Sequence, residues 1–149
     1  MIGSCVVDAS VAIKLFVVED LSDQADRLFK GLAEDPPARF YIPDLFYGEC
    51  ANVLWKYVRH HGYPAENARQ DVVDLKALAL ASVSTANLLE AALELAITYD
   101  ITVYDASYAA LAQQLDLPLV TADVPLARRL VGSGVDVHML HELRQIAEA

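Results

Sequence analysis

Short apolar runs rich in β-branched residues alternate with stretches of helical periodicity along this chain, and no two of these runs are joined by a hairpin turn. The strand candidates are Cys5-Val6-Val7, Phe40-Tyr41-Ile42, Ser82-Val83-Ser84, Leu117 to Thr121 and Val135 to Leu140. Helical spacing falls between them, over Ala9 to Phe16, Leu21 to Leu32, Asp44 to His60, Ala65 to Ala79, Leu88 to Tyr99, Thr102 to Leu115 and Asp123 to Leu130. Strands that alternate with helices pair in parallel and are covered on both faces, so the expected class is α/β. The first run constrains most. It suits a central strand buried on both sides, it stops abruptly at Asp8, and a helix follows at once. An acid there stands at the carboxyl end of the sheet, where open α/β folds bind ligands.

A chain of 149 residues is expected to form one domain with a core of its own. Its net charge of −10 argues against a protein that coats nucleic acid, since such binding neutralises phosphates. The same charge is compatible with a nucleic-acid enzyme whose acids gather around metal ions. Cys5 and Cys50 sit among apolar neighbours and make neither a C-x-x-C pair nor a zinc spacing, which favours a reducing, cytoplasmic setting. No basic start precedes the first strand, so no signal peptide is expected. Glu90, Glu94 and Asp100 break the most hydrophobic stretch, so no membrane span is expected either.

Punctuation is clear along the chain. Pro36-Pro37 marks a loop, Gly62-Tyr63-Pro64 ends a helix, and Gly132-Ser133-Gly134 turns into the last strand. Asp44 reads as an N-cap, Thr85 or Asn87 as the cap of the helix from Leu88, and the polar tail as helical.

Each acid of interest has an ordinary explanation. Asp8 and Asp123 suit N-caps, and Thr102 with Asp105 fits a capping box. Glu49 is harder to explain in this way. It lies four residues from both Leu45 and Val53, so it shares the apolar face of its helix, where a carboxylate is costly unless paired, protonated or bound to metal. A salt bridge to Lys56 is the plain alternative, and Asn52 and Lys56 continue a polar line from Glu49. Asp8 and Asp123 close parallel strands, while Glu49 and Asp105 lie near helix starts on the same side. Four acids on one edge repel unless cations sit between them, and oxygen-only ligands select Mg²⁺ or Mn²⁺ over zinc.

With these residues in view, the chain resembles a PIN-domain ribonuclease, and more narrowly a toxin of the VapC type. The likeness runs nearly the whole length. It rests on Val6-Val7-Asp8-Ala9-Ser10-Val11, on Pro43 to Leu54 with Glu49 and Asn52-Val53-Leu54, on Tyr104-Asp105-Ala106 leading to Tyr108 and Ala112, and on Leu119-Val120-Thr121-Ala122-Asp123 with Leu126. The resemblance implies a three-layer α/β/α fold around a central parallel sheet, and a metal site formed by Asp8, Glu49, Asp105 and Asp123. It implies supporting roles for Ser10 and Thr121, with Asn52 beside Glu49. It also implies RNA as substrate, a homodimer and a VapB-type antitoxin. The net charge of −10 suggests how the antitoxin binds: an Arg-bearing segment places an arginine among the acids, and its hydrophobic residues fill a groove between the helices at Ala9 to Phe16, Leu21 to Leu32 and Asp44 to His60. Some relatives carry a further acid after the last one; here Val124 and Pro125 follow.

Other features point less far. Lys14 and Lys56 are candidate phosphate contacts, although exposed lysines on helices are common. His138 and His141 lack the partners of a zinc site, and His60-His61 suits a solvated helix end. Tyr41, Tyr47, Trp55 and Tyr57 suit a core or an interface better than base stacking. Ser10 stands where an Asp-nucleophile phosphatase needs a second acid, and no nucleotide-cradling Gly-rich loop is present. The rival from another class is a PIN-like interaction module with little or no catalysis.

Overall fold

A computed structural model describes residues 3–34 and 36–143. Five parallel strands form one sheet in the order β3-β2-β1-β4-β5: β1 Cys5–Val7, β2 Phe40–Pro43, β3 Leu80–Val83, β4 Leu119–Thr121 and β5 Val137–Met139. Helices flank the sheet: α1 Ala9–Ala12, α2 Ser22–Lys30, α3 Leu45–His60, α4 Ala65–Ala77, α5 Leu89–Tyr99, α6 Val103–Leu115 and α7 Val124–Arg129. The α/β class and the parallel sheet expected from the alternation are therefore present.

The chain winds outward from β1 through β2 to β3, then returns to place β4 on the other side of β1. That reversal falls between β1 and β4, and open α/β sheets bind ligands at the carboxyl ends of strands where the order reverses. Both strands are fully buried, as their unbroken apolar runs require. On one side of the sheet α6 buries Ala106 to Ala112 almost without interruption, so its small residues bring the helix close to β1 and β2.

Several boundaries differ from expectation. The first helix is α-helical only to Ala12 and tightens into a 3₁₀ turn over Ile13–Leu15, with both Phe16 and Val17 donating to the Ile13 carbonyl. Leu21 does not begin α2; it stands just outside it in the left-handed region, at φ 69°. β4 starts at Leu119, after Pro118, which has no N–H to give the ladder but accepts from Val6 through its carbonyl at 2.8 Å. β3 runs over Leu80–Val83 because its register follows β2 from Phe40 to Pro43. Leu88 belongs to a 3₁₀ turn, and neither Thr85 nor Asn87 caps α5 through its side chain.

Asp44 is also corrected. It makes no side-chain cap to α3; its carboxylate accepts from the Thr85 backbone at 2.9 Å and from the Thr85 hydroxyl, and that hydroxyl accepts from the Leu45 N–H at 3.1 Å. The cap of α3 thus comes from the far end of the β3 connection. The expected helical tail begins at residues 140–143, and the rest of it lies outside the described residues.

Candidate active site

Asp8 follows β1 directly and is buried. Its side chain does not cap α1, which removes the ordinary explanation for an acid there. Instead two hydroxyls converge on one carboxylate oxygen: Ser10 donates to Asp8 Oδ2 at 2.7 Å, and Thr121 donates to the same atom at 2.8 Å. Each hydroxyl is itself held by the backbone after β4, since Ser10 accepts from the Ala122 N–H and Thr121 from the Asp123 N–H, both at 3.0 Å. The carboxyl ends of β1 and β4 are thereby laced together around Asp8.

Glu49 lies in the second turn of α3, half-buried, with no ion pair to Lys56 or to any other cation among the described residues. Its Oε1 accepts from the buried Tyr108 hydroxyl at 2.6 Å. Asp105 is in the first turn of α6, three residues before Tyr108. Its backbone N–H donates to the Thr102 side chain at 3.1 Å, which is the N-cap half of the expected capping box. Asp123 caps α7, accepting from the Leu126 N–H at 3.1 Å. Its ordinary role is therefore real, and it does not exclude a second.

Burial is the main force on these acids, and their mutual charge adds to it. Asp8 is pushed above the usual carboxylate range by burial and by Asp123, against the pull of the Ser10 and Thr121 hydroxyls. Glu49 is raised by burial and by Asp8 and Asp105, against its bond from Tyr108. Asp105 is pushed up to about 6 by burial and by the charges of Asp8 and Asp123. Asp8 and Asp105 thus lie within electrostatic reach of each other, and Glu49 and Asp123 each of this pair. They do not form a ready-made cage: among the described residues no three acids already stand at ligand spacing around one point.

The remaining candidates fall outside this cluster. Asn52 and Lys56 are exposed on α3, and neither hydrogen-bonds to an acid of the site among the described residues. Lys14 is not a free cation, since its Nζ pairs with Glu19 at 2.9 Å. Tyr108 is the residue whose part the sequence reading missed. It belonged to the family pattern, but only the fold, which brings Tyr108 to Glu49 across 59 residues of sequence, shows that its hydroxyl donates to Glu49.

Residues 5–129 match the PIN domain family. Ribonuclease VapC3 of Pyrobaculum aerophilum is 36% identical over 126 residues, which cover 83% of this chain and 92% of that protein. The chain belongs to the VapC ribonucleases of the PIN-domain family. The crystal structure of PAE2754 from Pyrobaculum aerophilum superposes on this PIN domain with a TM-score of 0.67 at 24% identity, covering the whole of both chains. A toxin–antitoxin complex from Klebsiella pneumoniae matches at a TM-score of 0.63 and 18% identity, covering 91% of this chain and 97% of that one. These likenesses identify the fold.

Proposed function

We propose that this PIN domain is a divalent-metal-dependent endoribonuclease and the toxin of a toxin–antitoxin pair. The observation that carries the reading is the lacing of Asp8 by Ser10 and Thr121 at the reversal point of the sheet, with Glu49, Asp105 and Asp123 close enough to raise its neighbours' proton affinities or its own. A buried carboxylate held by two hydroxyls, facing other acids and lacking a counter-charge among the described residues, fits a hard cation. An open ring of acids suits Mg²⁺ or Mn²⁺, because such ions keep several waters and take only one or two carboxylates directly. A cation held by these acids would supply water activation and charge stabilisation at the scissile phosphate. The protein fixes the ligands: Ser10 and Thr121 hold Asp8, Tyr108 holds Glu49, and the starts of α6 and α7 hold Asp105 and Asp123.

The partners follow from the same charges. An arginine of a VapB-type antitoxin placed among the unneutralised acids would take over the cation's role and block it. Its apolar residues would lie along α1, α2 and α3, where Val18 is 94% exposed beside the packed cluster of Ile13, Val17 and Leu54. A homodimer is supported by α5, whose Leu89, Leu93 and Ile97 form an exposed apolar row at helical spacing. Among the described residues no helix is long and apolar enough to cross a membrane. Both cysteines are free and buried, in keeping with a reducing cytoplasm.

The test is cleavage of total RNA with and without Mg²⁺ or Mn²⁺, using wild type and Asp8→Asn. Loss of cleavage in the variant and in excess chelator is expected. Wild-type rates in either condition would refute the role of the metal and Asp8, and no cleavage by wild type with either metal would leave the interaction module in its place.

A further inference from the structure

The four acids would repel an RNA strand, and the chain as a whole carries a net charge of −10. Substrate binding therefore needs cations or stacking surfaces close to the acids, and some basic residues are already engaged. Lys14 is held by Glu19, and Arg129 by Asp100 at 2.9 Å. The outer face of α3 is different. Asn52, Trp55, Lys56, Arg59 and His60 are all exposed along it, and from Cys50 to His60 the helix contains no acid. Neither Lys56 nor Arg59 forms an ion pair among the described residues.

Helical spacing makes these residues one continuous surface. Asn52, Lys56 and Arg59 follow Glu49 at i+3, i+7 and i+10, and Trp55 lies between Asn52 and Arg59, three and four residues from each. From Glu49 to Arg59 the row spans about 15 Å at 1.5 Å per residue. Trp55, whose sequence context suited a core or an interface, is instead 56% exposed, and the His60 ring packs against it in a T-shape at 6.4 Å between centroids. More than half of the residue thus stays open to solvent.

We propose that this face of α3 is a track for single-stranded RNA that leads away from the acid cluster. Lys56 and Arg59 contact phosphates and Trp55 stacks on a base, the combination used by proteins that bind single strands. Charge complementarity selects this occupant. The row is cationic on an acidic protein, and Trp55 is its one large apolar side chain, whereas a docking protein would need an apolar stripe. The proposal rests on the nuclease reading for its polarity, because the row begins beside Glu49.

Trp55 is the chain's one tryptophan, so its emission reports on the track directly. Short oligoribonucleotides are titrated into the Asp8→Asn protein, which keeps the strand uncut, and both Trp55 emission and anisotropy of a labelled strand are followed. Quenching is expected on binding. Adding Lys56→Ala and Arg59→Ala should weaken affinity about tenfold and make the log–log salt dependence shallower by about 1.4, as expected for two lost contacts to a single strand. Trp55→Ala should weaken binding with the salt slope kept. All these side chains are exposed, so the melting temperature should hold in every variant.

Absence of quenching, or equal affinity in parent and Lys56→Ala/Arg59→Ala, overturns the track. So does a result in which these variants keep RNA affinity but lose a protein partner. Failure of wild type to cut RNA with either metal, while quenching and the salt effect persist, rejects the nuclease reading and leaves the track standing.

Discussion

Asp105 opposes the folded state at neutral pH. Its carboxyl titrates at about 6 in the folded chain against an ordinary value of 3.8, so between those values the folded protein binds protons that the unfolded chain has released. Stability linked to this group is greatest below about 4 and is lost as pH rises through 6. With chelator present, Asp105→Asn should therefore exceed wild type in stability at pH 7 by on the order of 1 kcal/mol, after discounting for partial exposure. The gap should close at pH 4, as urea melts at the two pH values will show. A gap of the opposite sign would mean that Asp105 is neutralised by a neighbour. The identities of the four acids were legible in the sequence, because each closes a strand or lies near a helix start. The hydroxyls on Asp8 and the phenol on Glu49 were legible only as parts of a family pattern. Ser10 is two residues from Asp8, but Thr121 lies 113 residues from Asp8 and Tyr108 59 from Glu49, and no local spacing encodes those two contacts.

Element boundaries show the same division between local and distant causes. Thr102 capping α6 and Asp123 capping α7 are contacts across three residues, and both were readable from residue type alone. The cap of α3 was not. Asp44 has the right chemistry in the right place, yet it turns to Thr85, and Thr85 serves Leu45 from 40 residues away. Thr85→Ala should cost about 1 kcal/mol in a denaturant melt by freeing the first N–H of α3 and leaving Asp44 without its partner. The same loss should not follow from Asn87→Ala, whose side chain caps nothing. Strand limits shifted for a related reason. β3 takes its length from its neighbour β2, and β4 can begin only after a proline that has no N–H to contribute.

At the scale of the whole molecule, repulsion at one edge of the sheet makes stability depend on what binds there. Millimolar Mg²⁺ or Mn²⁺ should raise the melting temperature by mass action, and Asp8→Asn should blunt the rise. No change in wild type at saturating metal would count against a shared site. Assembly depends on the opposite kind of surface. Ile97 is 69% exposed in the apolar row of α5, and Ile97→Glu should convert a dimer to a monomer in light scattering without lowering the helical content. A wild-type monomer at micromolar concentration would remove the dimer. Finally, the strand order has a consequence for synthesis. β1 pairs with β4 through Val6 with Leu119 and Val7 with Val120, so the two halves of the acid cluster are made far apart in time by a ribosome. Asp8 waits for Thr121 and Asp123, because a contact across 113 residues closes only once the later strand has emerged. On the nuclease reading, a growing chain is harmless to the RNA around it until residue 123 is out.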